Sequence, residues 1–172
     1  MHKYLNKLGM RDDFVCVPGT TNREQSKRFR KEREKYGFDS RETWSLKMTS
    51  ALWLYERLKM YLKQAGKIVD LSFYKFRIQT VEIDPGIWNV ESITDAESHI
   101  GLSEPIEMTQ KKAIKLCVEY LRSYITSEEN QEKAEKEHEG SKYPGIIAEM
   151  IDLAKAQQAF RIYAELFPAM WW

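Results

Sequence analysis

One stretch of this chain, Phe38–Lys63 (FDSRETWSLKMTSALWLYERLKMYLK), restricts the fold more than any other, because a helix start, a long apolar stripe and a charged outer face coincide in it. Asp39 precedes the apolar periodicity and Glu42 follows three residues later. Asp39 is thus placed to cap a free amide while Glu42 reaches back to the amide of the cap itself. Trp44, Met48, Ala51, Tyr55, Leu58 and Leu62 then recur at alternating spacings of four and three, which lines them along one side of a 3.6-residue helix. Lys47, Glu56, Arg57, Lys59 and Lys63 fall mostly on other faces, and Gly66 is placed to close the run as a left-handed cap. Burial of each large side chain in the stripe is worth about 1.5–3 kcal/mol before the entropy of ordering it. A helix of this kind needs other helices or a sheet to cover it.

The remaining periodicities supply those partners. Arg23–Tyr36 is polar, rich in helix formers and ended by Gly37, which predicts an exposed helix with Phe29 and Tyr36 as its main apolar contacts. Thr109 opens a second clear helix, with Ile114, Cys117, Val118, Leu121 and Ile125 on one face and an end near Thr126. Pro144 suits the first turn of a third, which runs to about Phe167 and is apolar on several sides through Ile146, Ile147, Met150, Ile151, Leu153, Phe160, Ile162, Tyr163 and Leu166. Between residues 68 and 84 the period falls to two: Val69, Leu71 and Phe73 alternate with polar neighbours, then Phe76 and Ile78 do so in the opposite phase. Strands with a bend near Tyr74 account for that. Asp84-Pro85-Gly86 reads as the turn of a hairpin between Val81–Ile83 and Ile87–Val90, and Thr94–Pro105 as loop. The predicted fold is mainly α, a bundle of three to four helices with a small β-hairpin insertion at about residues 68–93. One domain spans 1–172, with an irregular N-terminal segment at 1–21 and an acidic segment at 127–142 that either extends a helix or stays mobile.

Composition narrows the class. The chain's 172 residues, 42% of them hydrophobic, suffice for a core without disulfide or metal support. Cys16 and Cys117 lack metal-ligand spacing and read as thiols of a reducing compartment. With no signal-like N-terminus and no run of roughly 20 apolar residues, the expectation is a cytoplasmic protein without a membrane partner. The net charge of +1 provides no global attraction to nucleic acid or acidic lipid. Charge is uneven, however. Arg23–Lys35 holds seven basic residues against three acids, and Glu128–Glu139 six glutamates against two lysines.

Residues able to do chemistry are sparse. Asp95, Glu97 and His99 are the nearest approach to a metal site, since two-residue spacing would align them on a strand, but no second histidine follows at ligand spacing. Cys117 lies on an apolar helix face, Cys16 has no assignable base, and His138 between two glutamates reads as solvated. Phosphate-cradling glycine loops and nucleophile elbows do not occur. No catalytic residue, metal or cofactor is therefore assigned. Two recognition surfaces are. Trp171 and Trp172, with Phe29, Arg28 and Arg30, suit a protein partner or a second copy of the chain, because tryptophan and arginine are enriched where binding energy concentrates. Alternatively Lys27, Arg28, Arg30, Lys31 and Arg33, interleaved with Phe29, suit nucleic acid.

The segment Tyr36-Gly37-Phe38-Asp39-Ser40-Arg41-Glu42-Thr43-Trp44-Ser45-Leu46 resembles one that recurs in small uncharacterised bacteriophage proteins: a Gly-aromatic turn, a short acidic stretch, then Trp-x-Leu opening a long amphipathic helix. The aromatic end at Trp171-Trp172 is similar too. Lys47 departs from that pattern, where an acidic residue is commoner, and the strand-like region 67–93 looks like an insertion. The resemblance implies a phage source, a host-cell cytoplasmic setting and a helical fold, and transfers no catalytic residue. The expected function is thus a non-enzymatic phage accessory protein that binds a host protein, such as a defence component, or a small signalling ligand. Nucleic-acid binding through residues 23–35 is the alternative.

Overall fold

The computed structural model describes residues 23–43 and 46–170. The chain is mainly helical with a small β insertion, in the order α1 (Arg23–Tyr36), α2 (Leu46–Ala65), β1 (Lys75–Ile78), β2 (Val81–Ile83), α3 (Ile93–Ser98), β3 (Ile100–Leu102), β4 (Ile106–Thr109), α4 (Gln110–Ile125), α5 (Ser127–Glu137) and α6 (Pro144–Leu166). Contacts divide it into two units, residues 1–56 and 57–172, and α2 crosses the division.

In the first unit, α1 ends where predicted: Gly37 takes φ 81°, a left-handed conformation open to glycine, and its amide donates to the Arg33 carbonyl at 2.9 Å. The predicted exchange at Asp39 is present, since the Asp39 amide donates to Glu42 Oε1 at 3.2 Å and the Glu42 amide to the Asp39 carbonyl at 3.0 Å. It closes a 3-10 turn, Ser40–Thr43, rather than opening the long helix directly. Asp39 and Glu42 are buried, and the Arg33 guanidinium lies beside both, 2.5 Å from Asp39 Oδ2 and 3.6 Å from Glu42 Oε1. Burying two carboxylates is tolerable because this cation and the backbone amide answer them. Along α2 the expected stripe is in place at Ala51 and Leu58, which are buried, and at Met48, Tyr55 and Leu62, which are half-buried. Leu52 and Leu54 are buried as well, so the apolar face is wider than its periodicity implied. Trp44 lies outside the described residues.

In the second unit α6 packs along both α4 and α5. Thr109 caps α4 through its hydroxyl, which accepts from the Lys112 amide at 3.4 Å, and Ile114, Cys117 and Leu121 are buried on the face read from the sequence. The acidic segment forms α5, a separate helix after the Thr126 break. One carboxylate ties the three helices. Asp152 of α6, 2% exposed, accepts from the Ser123 hydroxyl of α4 at 2.5 Å and from the Asn130 amide of α5 at 2.8 Å. Pro144 occupies the first turn of α6 as expected. A Cβ on Gly145 would fall 2.9 Å from Glu135 Oε1, so glycine leaves room for a carboxylate over the start of α6, where the helix dipole favours negative charge.

The strands differ from expectation in their pairing. β1 runs antiparallel to β4, with Lys75 opposite Thr109 and Ile78 opposite Ile106, and β2 antiparallel to β3, with Val81 opposite Leu102. Ser103 links the two ladders: its amide donates to the Thr80 carbonyl at 2.9 Å and its hydroxyl accepts from the Thr80 amide at 2.9 Å. Ile87–Val90 therefore does not return as a hairpin strand; Pro85–Asn89 is a 3-10 turn capped by Asp84, whose Oδ1 accepts from the Gly86 amide at 2.7 Å. Nor is Thr94–Pro105 a loop, since it holds most of α3 and all of β3. Ile87 and Ala96 from this excursion bury themselves against Ile147 and Ile151 of α6, and that apolar gain outweighs the short hairpin alternative. Residues 68–73 are not a strand either; they form turns, and the phase flip seen near Tyr74 marks the passage from turn to β1.

Candidate functional site

The surface with the strongest chemical character is the corner where the α2–β1 connection meets the start of α4. Asp70 makes the connection turn: its Oδ1 accepts from the Ser72 amide at 2.9 Å and its carbonyl from the Phe73 amide at 3.1 Å. The turn is fastened to α4 by two backbone bonds, Gln110 amide to Tyr74 carbonyl at 3.0 Å and Lys111 amide to Leu71 carbonyl at 2.9 Å. Leu71 is buried beneath it. This fastening puts two aromatic rings on the outside, Phe73 at 76% exposure and Tyr74 at 42%, with centroids 5.2 Å apart and planes at 89°. Beside them lies a cavity of about 350 Å³ lined by residues 66–72 and Lys111.

Cations dominate the same corner. Residues 63–77 and 107–115 together carry seven basic side chains, Lys63, Lys67, Lys75, Arg77, Lys111, Lys112 and Lys115, against the two acids Asp70 and Glu107. All nine are exposed. Glu107 is engaged by Lys75, whose Nζ lies 2.8 Å from its Oε1; that hydrogen bond and the carboxylate's charge raise the Lys75 pKa. The first amides of α4 are consumed by Tyr74, Leu71 and the Thr109 hydroxyl, so anion attraction here comes from lysine side chains rather than from open helix amides.

The residues singled out from the sequence fare unequally. Phe29 is 1% exposed, so it belongs to the interior and does not interleave with the cations of α1 on an outer face. Arg28 is 3.3 Å from Glu32, Arg30 is 3.1 Å from Glu34, and Arg33 is turned inward to Asp39. Of the five cations proposed for nucleic acid, Lys27 and Lys31 are exposed and stand outside these ion pairs. Trp171, Trp172 and Cys16 lie outside the described residues. Asp95 and Glu97 fall on α3 rather than on a strand, which separates them in direction, and His99 faces Asp84 instead, 3.5 Å away. Among the described residues no three His, Cys, Asp or Glu side chains come together in a way that could hold a metal ion. Cys117 donates to the Ala159 carbonyl at 3.5 Å, and burial pushes its thiol up to about 12. It packs as a small apolar residue and is no nucleophile near neutrality. His138 is not simply solvated; its ring stacks on Trp88, centroids 3.8 Å apart.

The corner is not visible in the sequence, because Phe73 and Tyr74 fall within an alternating, strand-like pattern and Lys111, Lys112 and Lys115 are separated from Lys67 by some forty positions. No family model, curated protein or solved structure matches the chain. No described helix is long and apolar enough to cross a membrane.

Proposed function

We propose that this protein acts by binding and not by bond-breaking, and that it docks an anionic partner on the corner formed by Phe73, Tyr74, Lys67, Lys111 and Lys115. The observation that carries the reading is the seven-to-two excess of basic over acidic side chains around two exposed rings in a chain whose net charge is only +1. Exposed aromatics beside clustered cations suit recognition, since rings supply contact area at low entropy cost and lysines steer a partner of opposite charge. The reactive-looking groups have other employment: Cys117 packs against α6, Asp152 accepts from Ser123 and Asn130, and His99 faces Asp84. An accessory role in phage infection is the setting that the Tyr36–Leu46 resemblance implies.

The test separates this corner from the basic helix α1. Wild-type protein should be retained on an immobilised polyanion such as heparin at low salt. Lys111→Glu with Lys115→Glu should abolish retention, while Lys27→Glu with Lys31→Glu should leave most of it. The reverse pattern returns the function to α1, and no retention of wild type removes the anionic partner altogether.

A further inference from the structure

We infer that the partner is single-stranded nucleic acid, with an unstacked base lying on Phe73; this rests on the binding role of the corner argued above. Three features choose it. First, Phe73 is a platform and not an anchor in a pocket. Its ring is 76% exposed, neighbouring Ile68 is 71% exposed, and the adjacent cavity presents Lys67, Lys111, the Asp70 carboxylate and backbone as well as aliphatic side chains. A protein partner concentrates its energy in apolar anchors that fill desolvated pockets, whereas a base requires only a π-face.

Second, the ring planes of Phe73 and Tyr74 stand at 89°, so they cannot continue one stack of parallel bases. A base on Phe73 has to be splayed from its neighbour, with the ring of Tyr74 against its edge. A single strand permits that, while a duplex holds both faces of every base inside its own stack. Third, the cations are spread over three segments, the connection that carries the ring, β1 and α4. Lys67 and Lys111 line the adjacent cavity, Lys115 follows Lys111 one turn on along α4, and Lys75 and Arg77 occupy the alternate, exposed positions of β1. That spread follows a phosphate backbone past the ring instead of gathering on one charged group. Because Lys75 is already engaged by Glu107, about four cations remain to meet phosphates, which sets a slope of log affinity against log salt of about −3.

The decisive experiment is fluorescence anisotropy with labelled oligothymidylate and oligouridylate of about a dozen nucleotides, and with a duplex of equal length, run beside the polyanion retention assay. The single strands should bind more tightly than the duplex and weaken about 50-fold from 50 to 200 mM salt. Phe73→Ala should weaken single-strand binding about 5- to 150-fold, a larger loss than it causes in polyanion retention, which draws chiefly on the lysines. Exposed Phe73 tolerates this substitution, and unchanged circular dichroism verifies it. Three results overturn the inference and leave the binding role standing: equal affinity for single strand and duplex with no effect of Phe73→Ala, retention on polyanion without oligonucleotide binding, or Phe73-dependent binding of a peptide bearing glutamate and phenylalanine in place of the oligonucleotides. Loss of wild-type binding to polyanion and oligonucleotide alike sinks both.

Discussion

Removing the Asp152 carboxylate tests the account of how the larger unit coheres. Asp152→Ala deletes an acceptor of two bonds, one from Ser123 at 2.5 Å and one from Asn130 at 2.8 Å, that joins α4, α5 and α6. Hydrogen bonds to a charged group contribute about 1.5–3 kcal/mol each, so the gross loss is about 3–6 kcal/mol. Two circumstances pull the net toward the lower end: Ser123 and Asn130 are only half-buried and recruit water, and Asn130 keeps its bond to the Ser123 carbonyl at 3.0 Å. The expected cost is therefore about 3 kcal/mol, a fall of about 100-fold in the protection of the slowest-exchanging amides of α4 and α6. Hydrogen exchange is the appropriate assay because it reads this unit by itself. Asn130→Ala should cost about 1–2 kcal/mol, and the double variant should fall short of the sum by about 1–2 kcal/mol, since the two side chains share one interaction. A cost below about 1 kcal/mol for Asp152→Ala, or strict additivity, would show that the carboxylate does not join the helices.

Three further outcomes follow from single contacts. Cys117 should resist iodoacetamide at pH 8.5 in the folded protein and react on unfolding. Because folding raises its pKa from an ordinary 9.0 to about 12, the unfolded chain releases the proton first, and the decline of stability with pH should begin near 9 in the wild type and be shallower and later in Cys117→Ala. Tyr120→Phe should destabilise by about 1–2 kcal/mol in denaturant melts, since the phenol oxygen accepts from the Val81 amide at 3.0 Å and nothing in phenylalanine replaces it. Gly37→Ala should cost about 1 kcal/mol at the end of α1, where φ is 81°, while the same change at Gly140, whose φ is not positive and which has open space around it, should cost little.

How far the sequence foretold this depends on how local each signal is. Thr109 and Pro144 announce α4 and α6 because a cap and a first-turn proline act within one turn of chain, and the apolar face of α4 is written in its own spacing. Asp39 and Glu42 were legible for the same reason, although the turn they close is 3-10 and α2 begins only at Leu46. Gly66 is not the left-handed cap expected of it; Gly37 is the one described glycine with positive φ. The partner of β2 was not legible, because choosing Ile100–Leu102 over Ile87–Val90 depends on what Ile87 and Ala96 gain against α6, some fifty residues away. One signal there was available: Ser92 stands three residues before Asp95, a helix-opening pattern, and its hydroxyl does cap α3 at the Asp95 amide, 3.2 Å away. Proline after Asp84 likewise marks a helical first turn as readily as a hairpin. The lysine–aromatic corner is the least local feature, assembled from two segments by the Leu71–Lys111 and Tyr74–Gln110 backbone bonds.

Where a single strand docks is read most directly from the map of amide chemical-shift changes in isotope-labelled protein titrated with oligothymidylate at low salt. The largest, saturable changes should fall at residues 67–75 and 111–115, with α1 little affected. Changes confined to residues 27–33, or a spectrum that does not respond, would contradict that placement.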